Sequence, residues 1–320
     1  MNTYKRLLGL VLVTGLALLA GGCTTKEKRQ DIIINNASHY MSEGNYAQAI
    51  ELLNEGLTLS EGRVSDKEID ISYYKAAAQY NSGDYAGAIK TYTALANFDE
   101  DDPNPLFLRG SIYLKSGEKA KALNDYKAAI ALDEDDYDMY IAIYENLVAN
   151  NFIKEGEEFL NIALEKSGES KSDCLARGRI YSLMKQYDAA ETAFKKANDK
   201  GAEDANIYLA NLYYEKGDEL ECDKLLEEYK TKDSISALAC NAIASMELKR
   251  NHPDVALEYV EQGLGKLVVR NKKDLLRNKV ACLEALGRYE DAFDSCIEFL
   301  ESYPQDVDMN REKTYISTRL

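Results

Sequence analysis

Three stretches set the reading of the chain: Gly44-Asn45-Tyr46-Ala47-Gln48-Ala49-Ile50, Gly83-Asp84-Tyr85-Ala86-Gly87-Ala88-Ile89 and Gly117-Glu118-Lys119-Ala120-Lys121-Ala122-Leu123. The second and third begin 34 residues apart. Around each, apolar residues recur at three- and four-residue steps, the mark of a helix with one buried face. The glycine at the head of each stretch suits a left-handed C-cap, where a side chain would be strained, so it predicts a turn between two helices. One such helix pair cannot bury its apolar face alone, whereas a row of them stacked side by side can.

Working outward from these stretches, the same phase divides residues 30–304 into eight units, starting near Gln30, Ile69, Pro103, Tyr137, Lys171, Glu203, Ala237 and Lys273. The third unit carries Gly110, Ala122 and Ala129 at positions 8, 20 and 27, with Tyr113 and Tyr126 at 11 and 24. The fifth repeats this with Gly178, Ala190, Ala197, Tyr181 and Phe194, and the first shows Ala37, Ala49, Gly56, Tyr40 and Leu53. Small residues at 8, 20 and 27 and large ones between them, on a 34-residue period, resemble the tetratricopeptide repeat. Four units depart from the pattern; in the second, Gln79 takes the aromatic place at 11 and Tyr80 follows it. The fourth has Asn150-Asn151-Phe152 in its turn and Gly156 at position 20, and the seventh has His252-Pro253 in its turn. The sixth has Cys222 at position 20, where looser helix packing is expected. The resemblance implies an all-α fold, a right-handed superhelical solenoid of about eight helix–turn–helix repeats. Residues 305–320, with Tyr315 and Ile316, are expected to form a solvating helix over the last apolar face.

In that family the first helix of each repeat lines the concave side, with positions 2, 5, 9, 12 and 13 facing the groove. The resemblance therefore places Tyr73, Tyr80, Phe107, Leu114, Ile141, Val148 and Tyr214 there. Apolar and aromatic residues at exposed positions invite a partner, and an apolar or helical protein segment is expected in units two to four. The family's carboxylate clamp needs Lys at position 5 and Asn at 9. Position 5 here is Ile34, Tyr73, Phe107, Ile141, Leu175, Ile207, Asn241 and Arg277, so that clamp is not expected.

Composition narrows the function further. The chain has 320 residues, 39 Lys and Arg against 55 Asp and Glu, and a net charge of −16. Phosphate contacts need clustered cations, so a nucleic-acid partner is not expected. Only 4 prolines occur, which favours long helices. The two histidines, His39 and His252, fall in different units, and no phosphate loop or nucleophile elbow is present, so neither catalysis nor a cofactor is expected. The runs Asp99-Glu100-Asp101-Asp102 and Asp133-Glu134-Asp135-Asp136 lack the spacing of a Ca²⁺ loop. At joints between units they are read as helix N-caps rather than metal sites. Cys174, Cys222, Cys240, Cys282 and Cys296 fall mostly on buried repeat positions and are read as reduced core residues.

The first residues carry an address. Lys5 and Arg6 precede the uncharged run Leu7–Ala20, which suits a secretory signal and is short for a membrane span. Ala20-Gly21-Gly22-Cys23 resembles the lipobox of bacterial lipoproteins, with Leu19 one place off the usual leucine. That resemblance implies removal of residues 1–22, lipid on Cys23, and residues 23–29 as a polar tether. Loss of Lys5 and Arg6 takes the net charge from −16 to −18. Attachment then rests on acyl chains and not on a basic patch. The expected protein is a scaffold or adaptor anchored by N-terminal lipid to the cell membrane or outer membrane on its extracytoplasmic side. The alternative is a structural lipoprotein of an envelope assembly machine serving outer-membrane or pilus biogenesis.

Overall fold

The computed structural model describes residues 25–320, apart from 61–63, 203, 231–234, 267–270 and 304–305. The signal segment and Cys23 lie outside the described residues. Among the described residues all regular structure is helical. Eight helix pairs follow one another: α1 (Lys26–Ser42) with α2 (Tyr46–Thr58), α3 (Asp66–Asn81) with α4 (Tyr85–Phe98), α5 (Asn104–Lys115) with α6 (Lys119–Leu132), and α7 (Tyr137–Ala149) with α8 (Ile153–Leu164). The second half pairs α9 (Lys171–Leu183) with α10 (Tyr187–Asp199), α11 (Ala205–Lys216) with α12 (Glu219–Lys230), α13 (Ala237–Lys249) with α14 (Pro253–Leu264), and α15 (Lys272–Ala285) with α16 (Tyr289–Ser302). A last helix, α17 (Val307–Ser317), completes the chain.

One turn geometry serves all eight pairs. Each turn has a residue at positive φ: Gly44, Gly83, Gly117, Asn151, Lys185, Gly217, Asn251 and Gly287. In each, the next N–H reaches back to a carbonyl five residues earlier, from Asn45 to Tyr40 at 2.7 Å through Arg288 to Leu283 at 2.9 Å. These bonds satisfy carbonyls that the end of a helix leaves unpaired. The fourth and seventh units keep the geometry with asparagine, which tolerates the left-handed region; the fifth keeps it with Lys185 at φ 57°, a strained choice.

Packing within a pair depends on small residues opposite large ones. A Cβ built on Gly178 would lie 2.3 Å from the Phe194 ring, and one on Gly110 would lie 2.7 Å from Tyr126. Both rings are fully buried. Unit four inverts the arrangement: the bulky residue is Tyr144, and a Cβ on Gly156 would lie 2.9 Å from its ring. Gly156 therefore compensates for a tyrosine at position 8. In the sixth unit Cys222, where looser packing is expected, is buried in a cluster with Ile207, Ala210 and Leu226. All five internal cysteines are free and buried. Burial pushes the Cys282 and Cys296 thiols up to about 12, which keeps them protonated and inert.

The expected tether over 23–29 is corrected: helix α1 already begins at Lys26. Thr25 caps it, accepting from the Lys28 N–H. Lys26 pairs with Glu68 at 2.7 Å, and the buried Gln30 amide donates to Glu68 Oε1 at 2.7 Å and to the Gly56 carbonyl at 3.3 Å. Glu68 also accepts from the Ser65 N–H at 2.9 Å and from its hydroxyl. A segment that reads as polar and solvated is thus stapled to the joint between the first two units.

Consecutive first helices lie near one another along the stack, whereas consecutive second helices do not, so the odd-numbered helices up to α15 form the inner wall. The curvature brings the two ends of the stack together, and α1 packs on α16. The Ser38 hydroxyl donates to the Glu301 carbonyl at 3.2 Å, and Tyr74 donates to the same carbonyl at 3.5 Å. Tyr46 reaches Asn310 Oδ1 on α17 at 3.5 Å. Met309 and Ile316 bury α17 in the core of the last unit, alongside Cys296, Phe299 and Leu300. The last helix therefore covers the final apolar face and also touches the first repeat. The solenoid closes into a ring.

Candidate functional site

The inner wall changes character around the ring. In units two and three it is aromatic. Tyr73 is half-buried on α3, edge-on to Tyr92 with ring centres 6.0 Å apart, and its hydroxyl donates to Asp102 at 2.7 Å. Burial, with Asp102 beside it, raises the phenol well above its ordinary value. Tyr80, about two turns further along α3, is half-buried against Tyr85 at 5.5 Å. Phe107 on α5 is half-buried against Tyr126 at 5.8 Å. These three rings each leave part of their surface toward solvent, and each is held by a second aromatic residue behind it.

The other expected groove residues behave differently. Leu114 and Ile141 are only 4% and 6% exposed and belong to the core that also holds Tyr126 and Tyr140, so they are corrected from groove to core. The physical reason is that the neighbouring first helix lies close enough to cover them. Val148 is half-buried on α7. Tyr214 is half-buried on α11, far along the chain from the aromatic wall; its hydroxyl donates to the Lys249 carbonyl at 3.4 Å, with the Arg250 guanidinium 5.4 Å from its ring centre. The structure thus gathers Tyr73 and Tyr80 in one cluster and Phe107, Leu114 and Ile141 in the next, and it separates Tyr214 from both.

From unit four onward the inner wall is charged and polar. Arg179 pairs with Asp138 at 2.6 Å. Asn278 donates to Asn241 at 2.9 Å and to Ser245 at 2.9 Å, linking α15 to α13. A cleft of about 690 Å³ opens here, lined among others by Asp138, Leu175, Arg179, Asp204, Leu238 and Asp274. Glu145 on α7 is raised by burial and then by Asp274 of unit eight, and it is drawn back by Arg179, Arg277 and Lys273. Residues of units four and eight line this same cleft. Glu145 and Arg179 stand at groove positions in the sequence, but their proximity to unit eight has no sequence signal, because it follows from accumulated curvature.

The acidic joints serve as caps. Asp136 accepts from the Asp138 and Met139 N–H groups at 3.0 and 3.2 Å, and Asp102 accepts from Asn104 N–H at 2.9 Å. At the other end, Asp306 caps α17 through the Met309 N–H at 3.0 Å and pairs with Lys273 at 3.1 Å and Arg277 at 2.5 Å. Burial alone would raise its carboxyl, but the two cations and the helix amide hold it below the usual carboxylate range. No helix among the described residues is long and apolar enough to cross a membrane.

Helix pairs joined by one recurring turn, with their first helices on the inner wall, define a helical-repeat scaffold. Family models described as tetratricopeptide repeat match residues 34–105, 103–136 and 174–199, so the chain carries tetratricopeptide repeats there. Comparison with curated proteins found no match. Among solved structures, a tetratricopeptide repeat protein from Parabacteroides merdae is similar at 16% identity and a TM-score of 0.42, covering 80% of this chain and 99% of that one. Yeast Tom70 is similar at 14% identity and a TM-score of 0.41, covering 92% and 89%. PilW, described as a type IV pilus biogenesis factor, is similar at 18% identity and a TM-score of 0.34, covering 60% and 90%.

Proposed function

We propose that the protein is a non-catalytic scaffold anchored by lipid on Cys23 outside the cytoplasm, which holds a protein partner against the inner wall of its ring. The observation that carries the binding role is the aromatic wall of Tyr73, Tyr80 and Phe107. Half-buried aromatic rings braced from behind lose little conformational freedom when a partner covers them, and such residues dominate interface energetics. The partner is an apolar protein segment, and the acidic body disfavours nucleic acid. The anchoring role rests on the apolar run Leu7–Ala20 and on Ala20-Gly21-Gly22-Cys23.

Two experiments test the two halves of this reading. Site-specific photocrosslinking from the inner wall in cells, with the captured protein identified, tests the scaffold role. Tyr73→Ala with Phe107→Ala is expected to reduce capture at least tenfold, and unchanged capture removes the aromatic wall from the interface. For the anchor, globomycin is expected to leave a larger, unprocessed species, and Cys23→Ser is expected to abolish incorporation of a labelled fatty acid. A Cys23→Ser protein that takes up the label as the parent does rules the anchor out.

A further inference from the structure

The ring has one joint unlike the others. Consecutive units meet through buried apolar side chains such as Tyr126, Ile141 and Ile180 in the middle of the stack and Leu275, Leu276 and Val280 toward its end. Where α16 and α17 meet the first two units, hydrogen bonds at the long end of the range cross the seam: Ser38 to Glu301 at 3.2 Å, Tyr74 of α3 to Glu301 at 3.5 Å and Tyr46 to Asn310 at 3.5 Å. Ser38, buried on α1, presents a small polar group at this seam. Hydrogen bonds exchanged for water contribute little net, and among the described residues no buried apolar cluster spans this seam.

The seam also governs access. With it shut, residues of units four and eight line one cleft, Asp138 from the one and Asp274 from the other. An α-helix with its side chains is about 10–12 Å across. Beside the aromatic wall, Tyr80 is within reach of Asp308 and Arg311 on α17, and Asn81 lines a cleft with Tyr46, Asn310, Arg311 and Thr314. Helix α17 thus stands at the edge of the surface that the partner would use.

We propose that the contact of α1 and α2 with α16 and α17 is a latch, and that a helical partner reaches the inner wall only when the latch opens. This rests on the scaffold reading above, but its physical core is testable without a partner. Closed and open rings are two states of one chain, and a partner that binds only the open one shifts the population toward it.

Spin labels on Asn35→Cys and Asp294→Cys, in a Cys23→Ser background, report the seam, since the five internal thiols are buried and label slowly. The parent is expected to show one short distance. Tyr46→Phe with Tyr74→Phe, which removes two seam hydrogen bonds and keeps ring volume, is expected to add a second, longer population at unchanged helix content. Ser38→Arg is expected to convert the short distance almost wholly to the long one. A parent without the short distance, or variants that never show the long one, overturns the latch. A Ser38→Cys, Glu301→Cys disulfide then fixes the ring shut. Capture by a photocrosslinker on the inner wall is expected to fall at least tenfold when the disulfide is oxidised and to return on reduction; equal capture in both forms overturns the gating role. If capture is instead indifferent to Tyr73→Ala and Phe107→Ala, the aromatic wall has failed as the binding surface, and the spin-label result still reports the latch.

Discussion

Units four and five solve the same packing problem with opposite divisions of volume. In unit five the first helix contributes Gly178 and the second contributes the large Phe194; in unit four the first helix contributes Tyr144 and the second contributes Gly156. The turns differ in a parallel way, with Asn151 at φ 66° in one and Lys185 at φ 57° in the other. The comparison teaches that what the fold conserves is the summed volume across a helix pair and the handedness of the turn, not the residue at a given position. Cores tolerate redistribution when total volume is kept and resist its increase.

The strongest way to break the comparison is to add volume to unit five alone. Gly178→Val drives methyl groups into the Phe194 ring, already 2.3 Å from a bare Cβ, and is expected to cost about 3 kcal/mol in urea unfolding.

A pH scan then separates apolar packing from charge. Burial would raise the Glu68 carboxyl, but Lys26, Ser65 and Gln30 together hold it at about 2. A folded value below the unfolded one, which is about 4.3, means stability that is complete above pH 5 and lost as pH falls toward 2. Roughly 2–3 kcal/mol is expected to disappear over that window, equally in the parent and in Gly178→Val, because neither glycine contact titrates. Glu68→Gln is expected to flatten that acid limb.

A smaller effect sharpens the volume argument. Gly156→Ala is expected to cost about 1–2 kcal/mol, and Tyr144→Leu in the same chain is expected to recover about 1 kcal/mol of it as coupling. Strict additivity in that double-mutant cycle would mean that the two residues do not share one space.

The smallest effect has the opposite sign. Lys185→Gly is expected to stabilise by about 0.5–1 kcal/mol by relieving a lysine in the left-handed region. Asn151→Gly is expected to change stability by only a few tenths of a kcal/mol, since asparagine already tolerates that conformation.

The repeat, its phase and its turns were legible because they are local: a glycine in one conformation and apolar residues at helical spacing. Gly156 was visible as a departure, but its meaning was not, because it lies in Tyr144 on the facing helix. Tyr73, Tyr80 and Phe107 could be placed on the inner wall from position alone. Leu114 and Ile141 could not be told from them, since their burial depends on how closely the next first helix approaches. Lys26 read as tether, and Gln30 as the start of the first unit, because nothing in a polar stretch announces a buried glutamate 38 residues after Gln30. Closure was illegible for a deeper reason: it is the sum of small rotations at seven joints, none of which has a motif.

That closure changes how stability is distributed. In an open array the first and last repeats each lack a neighbour, so they fray first and unfolding propagates inward. Here Ser38 and Glu301, 263 residues apart in sequence, are adjacent in space. In the language of one-dimensional cooperativity, the chain exchanges free ends for a periodic boundary. While the seam holds, no repeat is terminal, and melting has to begin in the interior of the row.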